Sequence, residues 1–135
     1  AETMSRRHTV KVRIEPGLPP LAIDRSAVVE VLYILLDNAS KYAPAGTQIR
    51  VYAAAADDER QARLTVEDEG PGIPPEMRED VFKKFFKIPG RQSIDPRRPS
   101  IGLGLPIAKR LVESQAGRIV IETPASGRGT SISVT

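Results

Sequence analysis

Apolar residues recur every three or four positions between Val28 and Ala39, at Val28, Val31, Leu32, Leu35 and Ala39. That spacing predicts one buried face of a helix running from Arg25 to about Ala43. Asp24 supplies an N-cap, and Pro44-Ala45-Gly46-Thr47 ends the helix. A second stripe at the same spacing runs Ile34, Asp37, Asn38, Lys41. It sets a carboxylate, a carboxamide and an ammonium within a turn of one another. Two readings are open: a solvated polar face, or acceptors for a cation beside a donor for an anion, as a metal-bound phosphate requires.

Elsewhere the period is two. Val10, Val12 and Ile14 alternate with Lys11, Arg13 and Glu15, a half-buried strand broken by Pro16 to Pro20. Residues 1–8 are polar and aperiodic and are read as a linker remnant, leaving 9–135 as the domain. Ile49, Val51 and Ala53 alternate outward and Ala62, Leu64 and Val66 return, so a β-hairpin with its tip at Asp57 to Glu59 is predicted. The return strand runs through Glu67-Asp68-Glu69 into Gly70-Pro71-Gly72-Ile73-Pro74, and a short helix from Pro75 to about Phe82 is expected next.

From Lys83 to Ser100 no period survives, and loops of this length in compact domains are functional lids or disordered. Gly102-Leu103-Gly104-Leu105-Pro106 opens a second helix carrying Ile107, Ala108, Leu111 and Val112, with Gly117 as its stop. Ile119 with Ile121, then Ile132 with Val134, give two closing strands. This order predicts an α+β two-layer sandwich: a mixed, mainly antiparallel sheet with its helices on one face.

Composition narrows the chemistry. A chain of 135 residues holds one domain with a real core. Cysteine is absent, which removes disulfides and thiolate metal sites, and one histidine, His8, removes any site needing two imidazoles. No apolar run approaches the ~20 residues of a membrane span. The net charge is only +3, although Lys83, Lys84, Lys87, Arg91, Arg97 and Arg98 crowd one segment. Three Tyr, three Phe and no Trp make a poor stacking platform, so nucleic acid is not an expected partner.

Two glycine motifs bear on the stripe. Asp68-Glu69-Gly70-Pro71-Gly72 stands where a strand stops; a carboxylate there can accept from an exocyclic amine, and glycines let backbone approach a flat ring. Gly102-x-Gly104 precedes a helix start, where free N–H groups favour anions. Each alone is equally an ordinary turn. In order, however, Asn38 with Lys41 and Tyr42, Asp68-x-Gly70-x-Gly72, Phe82 with Phe85 and Phe86, Gly102-Leu103-Gly104-Leu105, and Gly127-Arg128-Gly129-Thr130 resemble the ATP-binding catalytic domain of sensor histidine kinases. That domain belongs to the superfamily shared with gyrase, Hsp90 and MutL. The resemblance spans residues 10–134.

The resemblance implies a Bergerat-type sandwich binding ATP and Mg²⁺. Asn38 would coordinate the metal, with Lys41 and Tyr42 near the nucleotide. Asp68 would bond the adenine amino group, assisted through water by Thr130. Gly70, Gly72 and Ile73 would lie beside the base, and Phe82 and Phe85 would anchor a lid over about residues 83–101. Lys87 would face phosphate; Gly102, Leu103, Gly104 and Leu105 would hinge the lid and present N–H groups to phosphate oxygens. Asp37, next to Asn38, is the candidate base, one methylene shorter than the glutamate of hydrolysing relatives. Ser100 and Ile101 stand where the family often has a glycine and a Thr or Ser.

Transfer of the γ-phosphoryl group to a histidine on an adjoining dimerisation domain, in two-component signalling, is then expected. The downstream partner would be a response regulator. The acceptor histidine is absent here, since His8 lacks the motif's acidic neighbour. A nucleotide-responsive interaction module without phosphotransfer is the alternative, and an ATP-hydrolysing clamp a third. The isolated domain is expected to be a cytoplasmic monomer, and the parent an inner-membrane-associated bacterial homodimer. Arg7 to Val12 and Tyr42 to Thr47 further resemble potassium-responsive kinases of the KdpD kind.

Overall fold

The computed structural model describes residues 2–4, 9–15, 25–55, 62–84, 86, 104–124 and 130–134, with backbone alone at 2–4, 25 and 130–134. In chain order these form β1 (Glu2–Met4), β2 (Thr9–Ile14), α1 (Arg25–Tyr42), β3 (Gln48–Ala55), β4 (Ala62–Asp68), two 3-10 turns (Pro75–Met77 and Asp80–Phe82), α2 (Gly104–Ser114), β5 (Ile119–Glu122) and β6 (Thr130–Val134). The strands make one sheet in the order β1-β2-β3-β4-β6-β5. Among the described strands only β2 and β3 run parallel. They are the pair joined by α1, and parallel neighbours need such a crossover whereas antiparallel ones do not.

Register explains which sheet face is apolar. Val51 pairs with Val66, Val66 with Ile132 and Ile132 with Ile121, so one row crosses four strands on a single face. Of these, Val51, Val66 and Ile121 are buried, as are Ile49 and Ile119. α1 lays Val31, Leu35 and Ala39 on that surface, and α2 adds Ala108 and Val112 to the same cluster. Leu35 and Ile49 are the largest side chains excluded from solvent almost completely, each 1% exposed. The row next to it points the other way and is polar: Arg50 stands opposite Glu67 and meets it at 3.4 Å. The α+β sandwich with helices on one face is the observed fold.

Three local features differ from expectation. Glu2–Met4, within the segment expected to be a linker, is an edge strand paired antiparallel with β2, Thr3 opposite Val10. Strand addition uses backbone donors and acceptors, so a polar segment can join without apolar periodicity. The helix expected over Pro75–Phe82 is instead two separate 3-10 turns. The first buries nothing and the second only Val81, so no apolar stripe sustains a longer helix. Asp24 and the hairpin tip lie outside the described residues.

The end of α2 is the third. The Gly117 N–H donates to the Val112 carbonyl at 3.0 Å and the Ala116 N–H to that of Glu113 at 3.0 Å, a Schellman cap. Its left-handed position is Ala116, φ 60°, and not Gly117. Left-handed backbone costs an L-residue with Cβ about 1–2 kcal/mol. By contrast, the turn after α1, closed by Thr47 N–H to the Pro44 carbonyl, places a glycine, Gly46 at φ 85°, where the sign demands one.

Ala116→Gly is therefore expected to stabilise the domain by about 1 kcal/mol, after allowing for the greater freedom of glycine in the unfolded chain. Urea unfolding checks it: the midpoint rises and the slope stays unchanged. Leu35→Ala, which opens a cavity at the centre of the core, should lose about 2–5 kcal/mol by the same measurement.

Candidate functional site

Strand alternation sorts the three acids at the end of β4. Glu67 faces Arg50, and Glu69 Oε2 accepts from the Gln48 N–H at 2.9 Å, which fastens β3 to the strand end. Asp68 points the other way, towards the helical layer, and is buried at 6% exposure. Its Oδ1 accepts from the Gly70 N–H at 2.8 Å, bending the chain sharply out of the sheet. Register puts Thr130 directly across from Asp68 on β6.

Gly70 is held in a space without room for a side chain. A Cβ there would stand 3.0 Å from Asp68 Oδ1 and 3.1 Å from the Tyr42 carbonyl oxygen. The C-terminal end of α1 thus abuts the carboxylate turn through bare backbone. Gly72 follows at φ 79°, a conformation glycine adopts without strain. Ile73 then turns inward against the core cluster. Arg78 secures this loop: its Nε donates to the Ile73 carbonyl at 3.2 Å and its guanidinium to Thr123 Oγ1 at 2.9 Å, just past β5.

Along α1, Ile34, Asp37, Asn38 and Lys41 are all half-buried, as is Tyr42. Lys41 Nζ lies 3.1 Å from Asp37 Oδ2, an i,i+4 ion pair on the stripe. The Ser40 hydroxyl donates to the Asp37 carbonyl. One turn before Asn38, Ile34 closes on the other glycine motif: its Cγ2 is 3.3 Å from where a Gly104 Cβ would be. α1 therefore meets Gly70 through the Tyr42 backbone at its end and the first residue of α2 through Ile34, two turns earlier.

Phe82, which closes the second 3-10 turn, and Phe86 just after it pack against the core, as does Leu105. Lys109 Nζ sits 5.4 Å from the Phe82 ring centroid. At the start of the expected lid, Lys83 pairs with Asp80 at 2.8 Å, and that hydrogen bond and charge hold its ammonium above the ordinary lysine range.

Asn38, Lys41, Tyr42, Asp68, Gly70, Gly72, Ile73, Phe82, Gly104 and Leu105 all fall within the described residues. Phe85, Lys87, Gly102, Leu103 and the Thr130 side chain lie outside them, with lid residues 87–101. Sequence reasoning missed Arg78, Glu69 and the Ile34–Gly104 contact. Only Ile34 carried a signal, its place on the polar stripe; the other two bond to backbone or to residues distant in sequence, which no spacing reveals.

Comparison with known proteins identifies the family. Residues 23–135 match the family described as histidine kinase-, DNA gyrase B- and HSP90-like ATPase, and the chain belongs to that family. Over 130 residues, 96% of this chain, it is 33% identical to an adaptive-response sensory kinase SasA of Synechococcus sp., 33% of whose length is covered. A sensor protein KdpD of Clostridium acetobutylicum is 34% identical over 124 residues, 90% of this chain and 13% of that protein. Among solved structures, the mycobacterial sensor histidine kinase MprB superposes with a TM-score of 0.74 at 32% identity, over 93% of this chain and 78% of that one. The chain thus spans a third or less of these curated relatives. Among the described residues no helix is long and apolar enough to cross a membrane.

The Asp68–Gly70 turn makes a stability prediction independent of any ligand. Asp68→Ala leaves the buried Gly70 N–H without this acceptor and should cost about 1–3 kcal/mol. Asp68→Asn keeps an Oδ1 acceptor and should retain most of that. Thermal or urea unfolding of the two variants separates them.

Proposed function

We propose that the domain binds Mg-ATP along the α1 stripe and, within its parent protein, phosphorylates a histidine on an adjoining dimerisation domain. The observation that carries this reading is the Gly70 contact: bare backbone wedged between the Asp68 carboxylate and the Tyr42 carbonyl. It ties a buried carboxylate suited to an exocyclic amine to the end of the helix that bears Asn38. From Ile34 to Tyr42 that helix runs eight residues, about 12 Å, an elongated track with the carboxylate turn at one end and α2 at the other.

In this reading Asp68 accepts from the adenine amino group, with Thr130 assisting through water, while Gly70, Gly72 and Ile73 border the ring. Lys41 and Tyr42 flank the sugar and phosphates, and Lys41 exchanges its bond to Asp37 for phosphate oxygen. Phe82 and Phe85 seat the lid, Lys87 approaches phosphate, and Gly102 to Leu105 supply the hinge and N–H donors. Among the described residues no three His, Cys, Asp or Glu side chains cluster to hold a metal. The Asn38 carboxamide oxygen would hold Mg²⁺, a cation that typically takes only one or two oxygens from the protein. Bound there, the ion would neutralise charge on the phosphates.

The transfer itself asks little covalent chemistry of the protein. An imidazole nitrogen attacks the γ-phosphorus, the bond to the β,γ-bridging oxygen breaks, and ADP leaves; positioning and charge neutralisation lower the barrier. Asp37 is the candidate to accept the imidazole proton. The parent, in this reading an inner-membrane-associated bacterial homodimer, passes the phosphoryl group to a response regulator.

Calorimetric titration tests the nucleotide site. Wild type should bind ATP more tightly with Mg²⁺ than with EDTA, and Asn38→Ala should erase that difference. Asp68→Asn should weaken ATP by about tenfold or more, the scale of one lost charge-assisted bond. Unchanged ATP affinity in Asp68→Asn sinks the adenine assignment. Supplying a histidine-bearing helical hairpin with γ-labelled ATP then separates a kinase, which labels the histidine, from an interaction module, which does not.

A further inference from the structure

Three of the four stripe residues on α1 are polar; Ile34 is not, and the nucleotide reading gives it no role. It lies one helical turn before Asn38, half-buried, packed against the core cluster on one side. On the other its Cγ2 reaches the first residue of α2, where a Cβ on Gly104 would come to 3.3 Å, closer than such atoms normally approach. Ala108 and Val112 bury the body of α2 in the core shared with α1, and at its first residue the seat is this methyl group against a glycine. Ile34 is β-branched, so in a helix its χ1 is nearly fixed and the methyl is a rigid stop.

We propose that Ile34 is a positioning residue: its Cγ2 sets the separation between the start of α2 and the Asn38 turn of α1, and thereby the fit of the nucleotide's phosphates. The inference rests on the nucleotide reading above. It follows from where the two contacts lie. Asp68 and Gly70 are joined to α1 at Tyr42, two turns further on, so a change at Ile34 moves the α2 side of the cleft and leaves the carboxylate turn in place. Tight packing makes the spacing a property of volume: removing the methyl lets α2 settle inward, and adding one at Gly104 pushes it out. The two changes together restore the sum.

The test measures ATP, ADP and adenosine affinity by calorimetry for wild type, Ile34→Ala, Ile34→Val, Gly104→Ala and Ile34→Ala/Gly104→Ala, with melting temperature recorded for each. Valine keeps a β-branch methyl at the contact and should behave as wild type. Ile34→Ala should weaken ATP roughly tenfold, about the scale of one lost hydrogen bond to a phosphate oxygen, with adenosine affinity unchanged. Gly104→Ala should weaken ATP, and the double variant should recover at least half of either loss. Equal loss of ATP and adenosine in Ile34→Ala, or additive losses in the double variant, overturns the positioning role. So does an Ile34→Val variant as weak as alanine. If wild type binds neither ATP nor adenosine, the nucleotide reading itself has failed, an outcome distinct from all of these.

Discussion

The structure turns on the seam between α1 and the sheet, where Leu35 and Ile49 are sealed from solvent. A helix has one rotation about its axis, and burying Val31, Leu35 and Ala39 uses it up. Once those three face the sheet, the positions two and three residues further on must face sideways. Asp37, Asn38 and Lys41 are therefore gathered on one flank of the helix by the hydrophobic effect, without any polar contact having to place them.

The same economy governs the β4 end. Alternation sends Glu67 and Glu69 to bonds that hold β3 and β4 together, and leaves Asp68 alone of the three on the helical side. Burying a carboxylate is costly unless it is hydrogen-bonded, and the Gly70 N–H meets part of that need. The glycine is required because two walls, the carboxylate and the Tyr42 carbonyl, already occupy the space a side chain would take. Sheet, turn and helix end are thus fixed against one another by one residue without a side chain.

Further contacts brace this frame. Arg78 bolts the carboxylate turn to the residue after β5, and Phe82 is anchored in the core beneath Lys109. At the α2 boundary an exposed glycine closes on the Ile34 methyl, and Leu105, Ala108 and Val112 tie the helix to the core.

Much of this was legible in the chain itself. The two stripes of α1, the β3–β4 hairpin, the closing strands and the α+β class follow from periods of 3.6 and 2, because periodicity is the imprint of a buried face. The glycine motifs marked where backbone must come close to something. What they come close to was not legible: that Gly70 meets Tyr42, that Gly104 meets Ile34, and that Arg78 spans to Thr123 are contacts between segments far apart in sequence. The edge strand β1 and the left-handed Ala116 were hidden for a related reason. Backbone pairing and a local cap answer to neighbours in space and to the summed stability of the domain, and neither leaves a mark on residue type.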